Sequence, residues 1–409
     1  MRILVVCQYY APEPFRITDI ATELLKRGHH VDVLTGIPNY PEGRFYKGYG
    51  FTQRRIEMLN GIRVFRVPII PRGKGTAIRL ALNYASFVVS GSLRALMIPR
   101  HDYDVVLVYQ LSPVMMAVPG IIAASHLCAP MVLYVADLWP ESLSAAKGTN
   151  NKAILRFVGR IVDWIYRKSK TILVTSKGFE DSIILRGQSP CELKYIPQYP
   201  EDVYRPVTVT LDDSARKEMP KGFNIVFTGN IGVAQGLDVV IEAATKLLSY
   251  NDINWIIIGD GRAREALEKA SISKGLGRRV HFLGRRPMAR IPIYLALSDA
   301  ALLCLGPDPL FALTLPAKIQ SYFACGIPVI GSVNGDAANI IEESGAGLAG
   351  RAGDATALAK NVLAMYQSSF AERKIYGKNA LRYCDENFRK DRLIAEIELN
   401  LHKAIKSCY

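Results

Sequence analysis

The chain lacks any cysteine pair at metal or redox spacing. Its seven cysteines, at 7, 128, 191, 304, 325, 384 and 408, include no CxxC, and several sit inside apolar, strand-like runs. That argues against a disulfide framework and for small buried hydrophobes in a reducing compartment. Histidines are few: the six, at 29, 30, 101, 126, 281 and 402, show no HxH, HxxxH or HExxH spacing, so no structural or catalytic zinc is expected. No GxSxG occurs, which removes the support for a serine-elbow hydrolase. No apolar run reaches 18 residues, so no bilayer-spanning helix is expected. The opening MRILVVCQYYAPEP is too briefly apolar for a signal segment and has no small-residue cleavage site. It has the pattern of the first strand of a cytoplasmic protein.

What is present suits a two-domain enzyme: 409 residues, 49% hydrophobic and 22% charged. The net charge of +14 is lopsided. Residues 1–200 carry 25 Lys+Arg against 14 Asp+Glu, or +11, and residues 201–409 carry 26 against 23, or +3. Nucleic acid, an anionic membrane face or a phosphate-bearing substrate would each suit a basic amino half. Residues 76–97, TAIRLALNYASFVVSGSLRALM, are apolar but broken by Arg79, Asn83 and Arg94, with Arg72, Lys74 and Arg100 beside them. Two readings fit: a buried helix against a sheet, or a basic apolar element in a membrane interface.

Short β-branched runs recur at 3–7, 31–35, 62–67, 104–110, 131–136 and 171–176, each followed by a helical pattern. The rhythm restarts at 224–229, 254–259, 280–284, 300–305 and 327–331. Alternation of this kind predicts parallel sheets covered on both faces, and hence an α/β chain of two doubly wound, Rossmann-like domains. Prolines at 197, 200 and 206 mark a stiff linker. We assign 1–203 to a first domain, 204–388 to a second and 389–409 to a terminal helix that packs back on the first. In such sheets ligands bind beyond the carboxyl ends of the strands.

That rule demotes two motifs. GAGLAG (345–350) matches GxGxxG but follows a helical stretch, so it predicts a helix stop and an edge strand. DYD (102–104) resembles a metal-binding pair but opens a strand and lies at the wrong end. The rule promotes four loops. GNIGVAQG (229–236) leaves a strand for a helix, with Gly229, Gly232 and Gly236 fitting either a diphosphate cradle or a tight turn. GDGRARE (259–265) repeats the arrangement with Gly259, Gly261 and Arg262, and FLGRR (282–286) places Phe282 and Leu283 to offer backbone groups to a base. LTLPAKIQSYFACGIPVIG (313–331) puts Pro316 and Lys318 at a helix start, where free N–H groups and an ammonium favour an anion.

The ordered set GNIG…QG, IIIGDG, VHFLG, PAKIQSYFACGIPVIG and GAGL resembles the donor domain of the GT-B glycosyltransferases, in retaining family four. LLKRGHHVDVLTGIPNYPEG and LYVADLWPES in the amino half resemble a bacterial O-antigen and capsule subgroup that includes an L-fucosamine transferase. The resemblance implies two domains facing a cleft, 1–203 binding the acceptor and 204–388 the donor, and transfer, with retention, from a nucleotide-diphosphate sugar, commonly UDP-linked. N-acetyl-L-fucosamine would be the sugar and a polyprenyl-diphosphate-linked saccharide the acceptor. It further implies a peripheral position on the inner face of the cytoplasmic membrane, no metal or other cofactor, and no nucleic acid.

Departures shift the chemistry. Where the family has Arg and Lys in the first donor loop this chain has Asn230 and Gln235, and where it has two glutamates it has Leu313 and Ser321. Charge is therefore expected from Lys318 first and Arg262 second, with Ser321 left to bond a ribose hydroxyl. Ala136 replaces a histidine beside Asp137, which becomes the acidic candidate with Lys318 as the other catalytic one. Tyr9, Arg16, Asn39 and Glu141 are acceptor-contact candidates, each also explicable as structural. A UDP-sugar 2-epimerase of the same fold is the runner-up activity.

Overall fold

A computed structural model describes residues 1–100, 102–145, 151–186 and 192–407. Cys191 and Cys408 lie outside them; Cys7, Cys128, Cys304, Cys325 and Cys384 are free thiols. The chain divides into two compact units, Met1–Ile196 with Ile394–Tyr409, and Pro197–Leu393. The first division falls on the proline-bearing stretch, and the second lies inside the helix Lys390–Lys406.

The first unit carries β1 (Arg2–Val6), β2 (His30–Gly36), β3 (Ile56–Leu59), β4 (Ile62–Val67), β5 (Val105–Gln110), β6 (Met131–Val135), β7 (Thr171–Val174) and β8 (Glu192–Tyr195). Their order is β3-β4-β2-β1-β5-β6-β7-β8, parallel except for the β3–β4 hairpin. Every residue of β5 and β6 is buried, as strands covered on both faces require. From β1 the chain moves outward one way through β2 and β4, then returns to β5 on the other side of β1. That reversal opens a crevice at the carboxyl ends of β1 and β5.

In the second unit β9 (Phe223–Thr228), β10 (Ile253–Ile258), β11 (Val280–Gly284), β12 (Ala300–Cys304), β13 (Val329–Ser332) and β14 (Gly347–Gly350) form an all-parallel sheet ordered β11-β10-β9-β12-β13-β14. Period-two alternation along β10 sends Ile256 and Ile258 into one core layer and Trp255 and Ile257 into the other. Here the switch lies between β9 and β12, directly under the GNIG loop.

Two expectations about decoys hold. Gly345 ends the helix Asp336–Ser344 in a left-handed conformation, and GAGLAG then becomes β14 at the sheet edge. Asp104 accepts from the backbone N–H of Arg2 at 2.7 Å and from its guanidinium at 2.9 Å, which ties down the start of β5. Strands β3 and β8 were not foreseen. The turn joining β3 to β4 is Asn60-Gly61 with both φ positive, a strong two-residue hairpin signal that a search for helix–strand alternation passes over.

Candidate functional site

Strand β9 ends at Thr228, whose N–H donates to the Tyr322 hydroxyl at 3.1 Å; the two hydroxyls are 3.2 Å apart. Tyr322 belongs to the helix Lys318–Ala324, one turn beyond Lys318. Anchoring Tyr322 therefore lays Lys318 over the strand end. Its ammonium lies 4.8 Å from the Phe227 ring centroid, and a Cβ on Gly229 would stand only 2.7 Å from its Cε. Gly229, at φ 125°, is thus glycine for two reasons: its backbone conformation, and the lysine stem that fills the space beside it. Burial pulls the Lys318 pKa down to about 8, with the nearby Cys304 thiol acting the other way. Among the described residues the ammonium has no hydrogen-bond or ion-pair partner. The helix is only seven residues long, so the positive field here rests on the lysine more than on the helix dipole.

Three strand-end loops close around that point by backbone contact. The Gly229 N–H donates to Ile258 O at 2.8 Å and the Ile231 N–H to Asp260 O at 2.9 Å. A Cβ on Gly259 would lie 1.8 Å from Gly229 O, and one on Gly261 2.3 Å from Ile231 O. The Gly306 N–H, after β12, donates to Ala234 O at 2.8 Å. Gln235 has a local task, accepting the Gly232 N–H at 3.0 Å, while Asn230 is exposed beside Gly232 and Gly261. Arg262 is exposed and, among the described residues, unpaired. Phe282 and Leu283 are half-buried against the two core layers. Pro316 lies in the turn before the helix, its carbonyl accepting from the Ile319 N–H at 3.0 Å. The buried Ser321 hydroxyl bonds back to Ala317 O at 3.3 Å.

The first unit's strand ends hold a polar network whose central carboxylate, Glu13, sequence reasoning missed. Glu13, 2% exposed, accepts from the backbone N–H groups of Tyr40 at 2.7 Å, Asn39 at 2.8 Å and Tyr10 at 3.3 Å. Burial pushes its pKa up to about 7 against the pull of those three bonds. Asn39 is fully buried; its side chain donates to Ile37 O at 3.2 Å and accepts from the Arg72 N–H at 3.1 Å. Asn83, also fully buried, links Gln8 to Ile70. Tyr9 stacks on Phe15 at 5.0 Å and accepts from Arg72 Nη1 at 3.3 Å, and the same guanidinium lies 5.1 Å from the Tyr40 ring. Arg16 stands half-buried at the start of the helix Ile17–Lys26. The only sequence signal for Glu13 was a carboxylate held between two prolines just after a strand.

On the loop after β6, Asp137 accepts from the hydroxyls of Ser112 and Ser142 and from Trp139 Nε1 at 3.1 Å. The Gln110 side chain donates to its carbonyl at 2.9 Å. Its lone pairs therefore already serve three donors. Glu141 faces Arg186 at 3.6 Å, and Arg186 also pairs with Asp163 at 3.1 Å.

Comparison with known proteins agrees with this geometry. Residues 222–368 match the family "Glycosyl transferases group 1", and residues 15–198 match "Glycosyl transferase 4-like domain". WcaI of Escherichia coli (strain K12), described as a colanic acid biosynthesis glycosyl transferase, is 26% identical over 344 residues, 80% of this chain and 82% of that one. Sucrose-phosphate synthase from Thermosynechococcus elongatus superposes with a TM-score of 0.75 at 16% identity, covering 100% of both chains. HepE from Anabaena, in complex with UDP, gives 0.72 at 17% identity over 98% of this chain and 100% of that one. The chain is a glycosyltransferase of GT-B fold, with a glycosyl transferase 4-like domain in its first unit and a group 1 glycosyltransferase domain in its second.

Proposed function

We propose that the protein transfers a sugar, with retention of anomeric configuration, from a UDP-sugar to a polyprenyl-diphosphate-linked saccharide in surface polysaccharide assembly. The observation that carries this reading is the unpaired Lys318 ammonium, held at the β9/β12 switch among three glycine-bearing loops. A buried cation without a counter-ion is costly, and a diphosphate would supply the missing charge. In transfer, the bond from the anomeric carbon to the β-phosphate oxygen breaks and one to the acceptor oxygen forms. Negative charge grows on the diphosphate, where Lys318 and the exposed Arg262 can meet it. The acceptor's proton passes to the departing phosphate oxygen. No side-chain base is assigned to that step, and the bonding of Asp137 makes it the residue that shapes its loop. No metal enters this account.

A second line of support comes from the surface. The helix Ala77–Leu96 buries only Asn83, Phe87, Gly91 and Ala95 and turns Ile78, Leu82, Val89, Leu93 and Leu96 outward, with Met97 following. Residues 51–100 hold nine Lys+Arg and one acidic residue. One face packs on the fold, and the exposed apolar face beside these basic residues supports the reading of a helix lying on an anionic lipid surface, on the inner side of the cytoplasmic membrane. Among the described residues no helix is long and apolar enough to cross a membrane.

The test is a panel of UDP-sugars, UDP-N-acetyl-L-fucosamine among them, with a lipid-linked N-acetylglucosamine acceptor, read by product mass and by NMR of the new linkage. Acceptor-dependent product with the donor's anomeric configuration supports the proposal. Conversion of the donor alone would return the epimerase reading, and an inverted linkage would overturn retention.

A further inference from the structure

Two histidines and a carboxylate meet at the edge of the first unit opposite the strand-end loops. His29 sits in the turn that leads into β2, at the amino ends of β1 and β2. Glu398 and His402 lie four residues apart on the helix Lys390–Lys406, which places them one turn apart on one face. His29 Nε2 is 2.8 Å from Glu398 Oε1, and the two imidazole centroids are 6.0 Å apart at an interplanar angle of 70°. One ligand atom from each of the three residues falls within 4.8 Å of the others.

We propose that His29, Glu398 and His402 form a binding site for a divalent transition metal of the zinc class, which fastens the C-terminal helix to this edge of the sheet. The donor set is suitable: two imidazoles and a carboxylate leave one tetrahedral position for water. Burial grades across the site, from buried His29 through half-buried Glu398 to exposed His402, so the water position and the route for the ion lie on the His402 side. Metal bonds of about 2.0–2.1 Å require the three ligand atoms to draw closer together, and the exposed His402 can swing to achieve this.

The surroundings orient the ligands. Arg27 Nη1 donates to Glu398 Oε2 at 3.2 Å, which leaves Oε1 as the oxygen turned to His29. The Met1 nitrogen lies 3.3 Å from His29 Nδ1, which leaves Nε2 as the nitrogen turned to the site. The Arg27 bond to Glu398 is an outer contact of the kind that orients a ligating carboxylate in metal sites. His402 has no hydrogen-bond or ion-pair partner among the described residues, so its lone pair needs no exchange of partner. When His29 Nε2 and Glu398 Oε1 ligate the ion, the hydrogen bond between them is given up for two bonds to the metal.

Sequence spacing could not reveal the site. Glu398 and His402 supply half of a helical pair, and His29 stands 369 residues from Glu398. The consequence is structural. The helix starts in the second unit and joins the first from Ile394, so an ion here strengthens the hold of that helix on the first unit.

The experiment uses the full chain, stripped with chelator and dialysed, and titrated with zinc chloride by calorimetry. Cobalt absorption reports coordination geometry. Expected are one equivalent bound, a tetrahedral cobalt spectrum, and a zinc-dependent rise in Tm. His402→Ala should weaken zinc binding at least tenfold while leaving the metal-free Tm unchanged, because His402 is exposed and outside the His29–Glu398 contact. Glu398→Gln should weaken it as well. Equal zinc binding by wild type and His402→Ala, or no stoichiometric binding by wild type, would overturn the proposal.

Discussion

Lys318 Cε occupies the space beside Gly229 that any larger residue would claim, standing 2.7 Å from where its Cβ would be. The pair joins the end of β9 to the helix Lys318–Ala324, and Tyr322 bonding to Thr228 fixes the same two elements one turn further on. The fold therefore holds a cation at a strand end where, among the described residues, nothing neutralises it.

Holding that charge has a cost. The Lys318 pKa is depressed to about 8 in the folded chain from 10.5, so between those values the unfolded chain binds more protons and stability rises with pH. At neutral pH the charged lysine opposes folding. Lys318→Met should thus raise stability by about 1–3 kcal/mol at pH 7 while weakening UDP binding. Urea unfolding at pH 7 and pH 10 checks this, and the gain should shrink at the higher pH.

Glu13 titrates in the opposite sense. Its pKa rises from 4.5 to about 7 on folding, so between those values the folded chain holds the extra proton and stability falls as pH increases. Glu13→Gln should remove that slope. It should also cost about 1–3 kcal/mol, because an amide nitrogen replaces one of the oxygens that accept from Tyr10, Asn39 and Tyr40. Melting temperature against pH from 4 to 8 reads both effects.

The outward stripe of the helix Ala77–Leu96 gives a surface prediction. Purified protein should bind vesicles containing anionic lipid more tightly than neutral ones, and added salt should weaken the binding. Leu82→Asp with Val89→Asp should reduce vesicle binding with little change in Tm, since both side chains are exposed. Equal binding to neutral and anionic vesicles would count against electrostatic docking.

Much of the fold was legible because buried parallel strands are short apolar runs between helices. The rule that ligands sit at carboxyl ends then sorted the glycine motifs, keeping Gly229 and Gly259 and setting aside Gly345 and Gly347. What escaped depended on partners distant in sequence. Strand β8 is half-buried and lacks the apolar density of β5. Glu13 matters because Asn39 and Tyr40 bring their N–H groups to it, and Asp137 looked like a free acid until Ser112 closed on it. Lys318 was placed at a helix start by Pro316. Its isolation from counter-charge is a property of packing that no local pattern carries.

The central claim is that Lys318 is the diphosphate's cation, and the direct measurement is UDP affinity by calorimetry from pH 7 to 9.5 for wild type and Lys318→Ala. The account predicts that at pH 7 the variant binds UDP more weakly by about 1–3 kcal/mol, the scale of a hydrogen bond to a charged group. Wild-type affinity should fall as pH rises through about 8, where the free enzyme's lysine loses its proton, and the variant should lack that fall. Equal affinities with parallel pH profiles would contradict it.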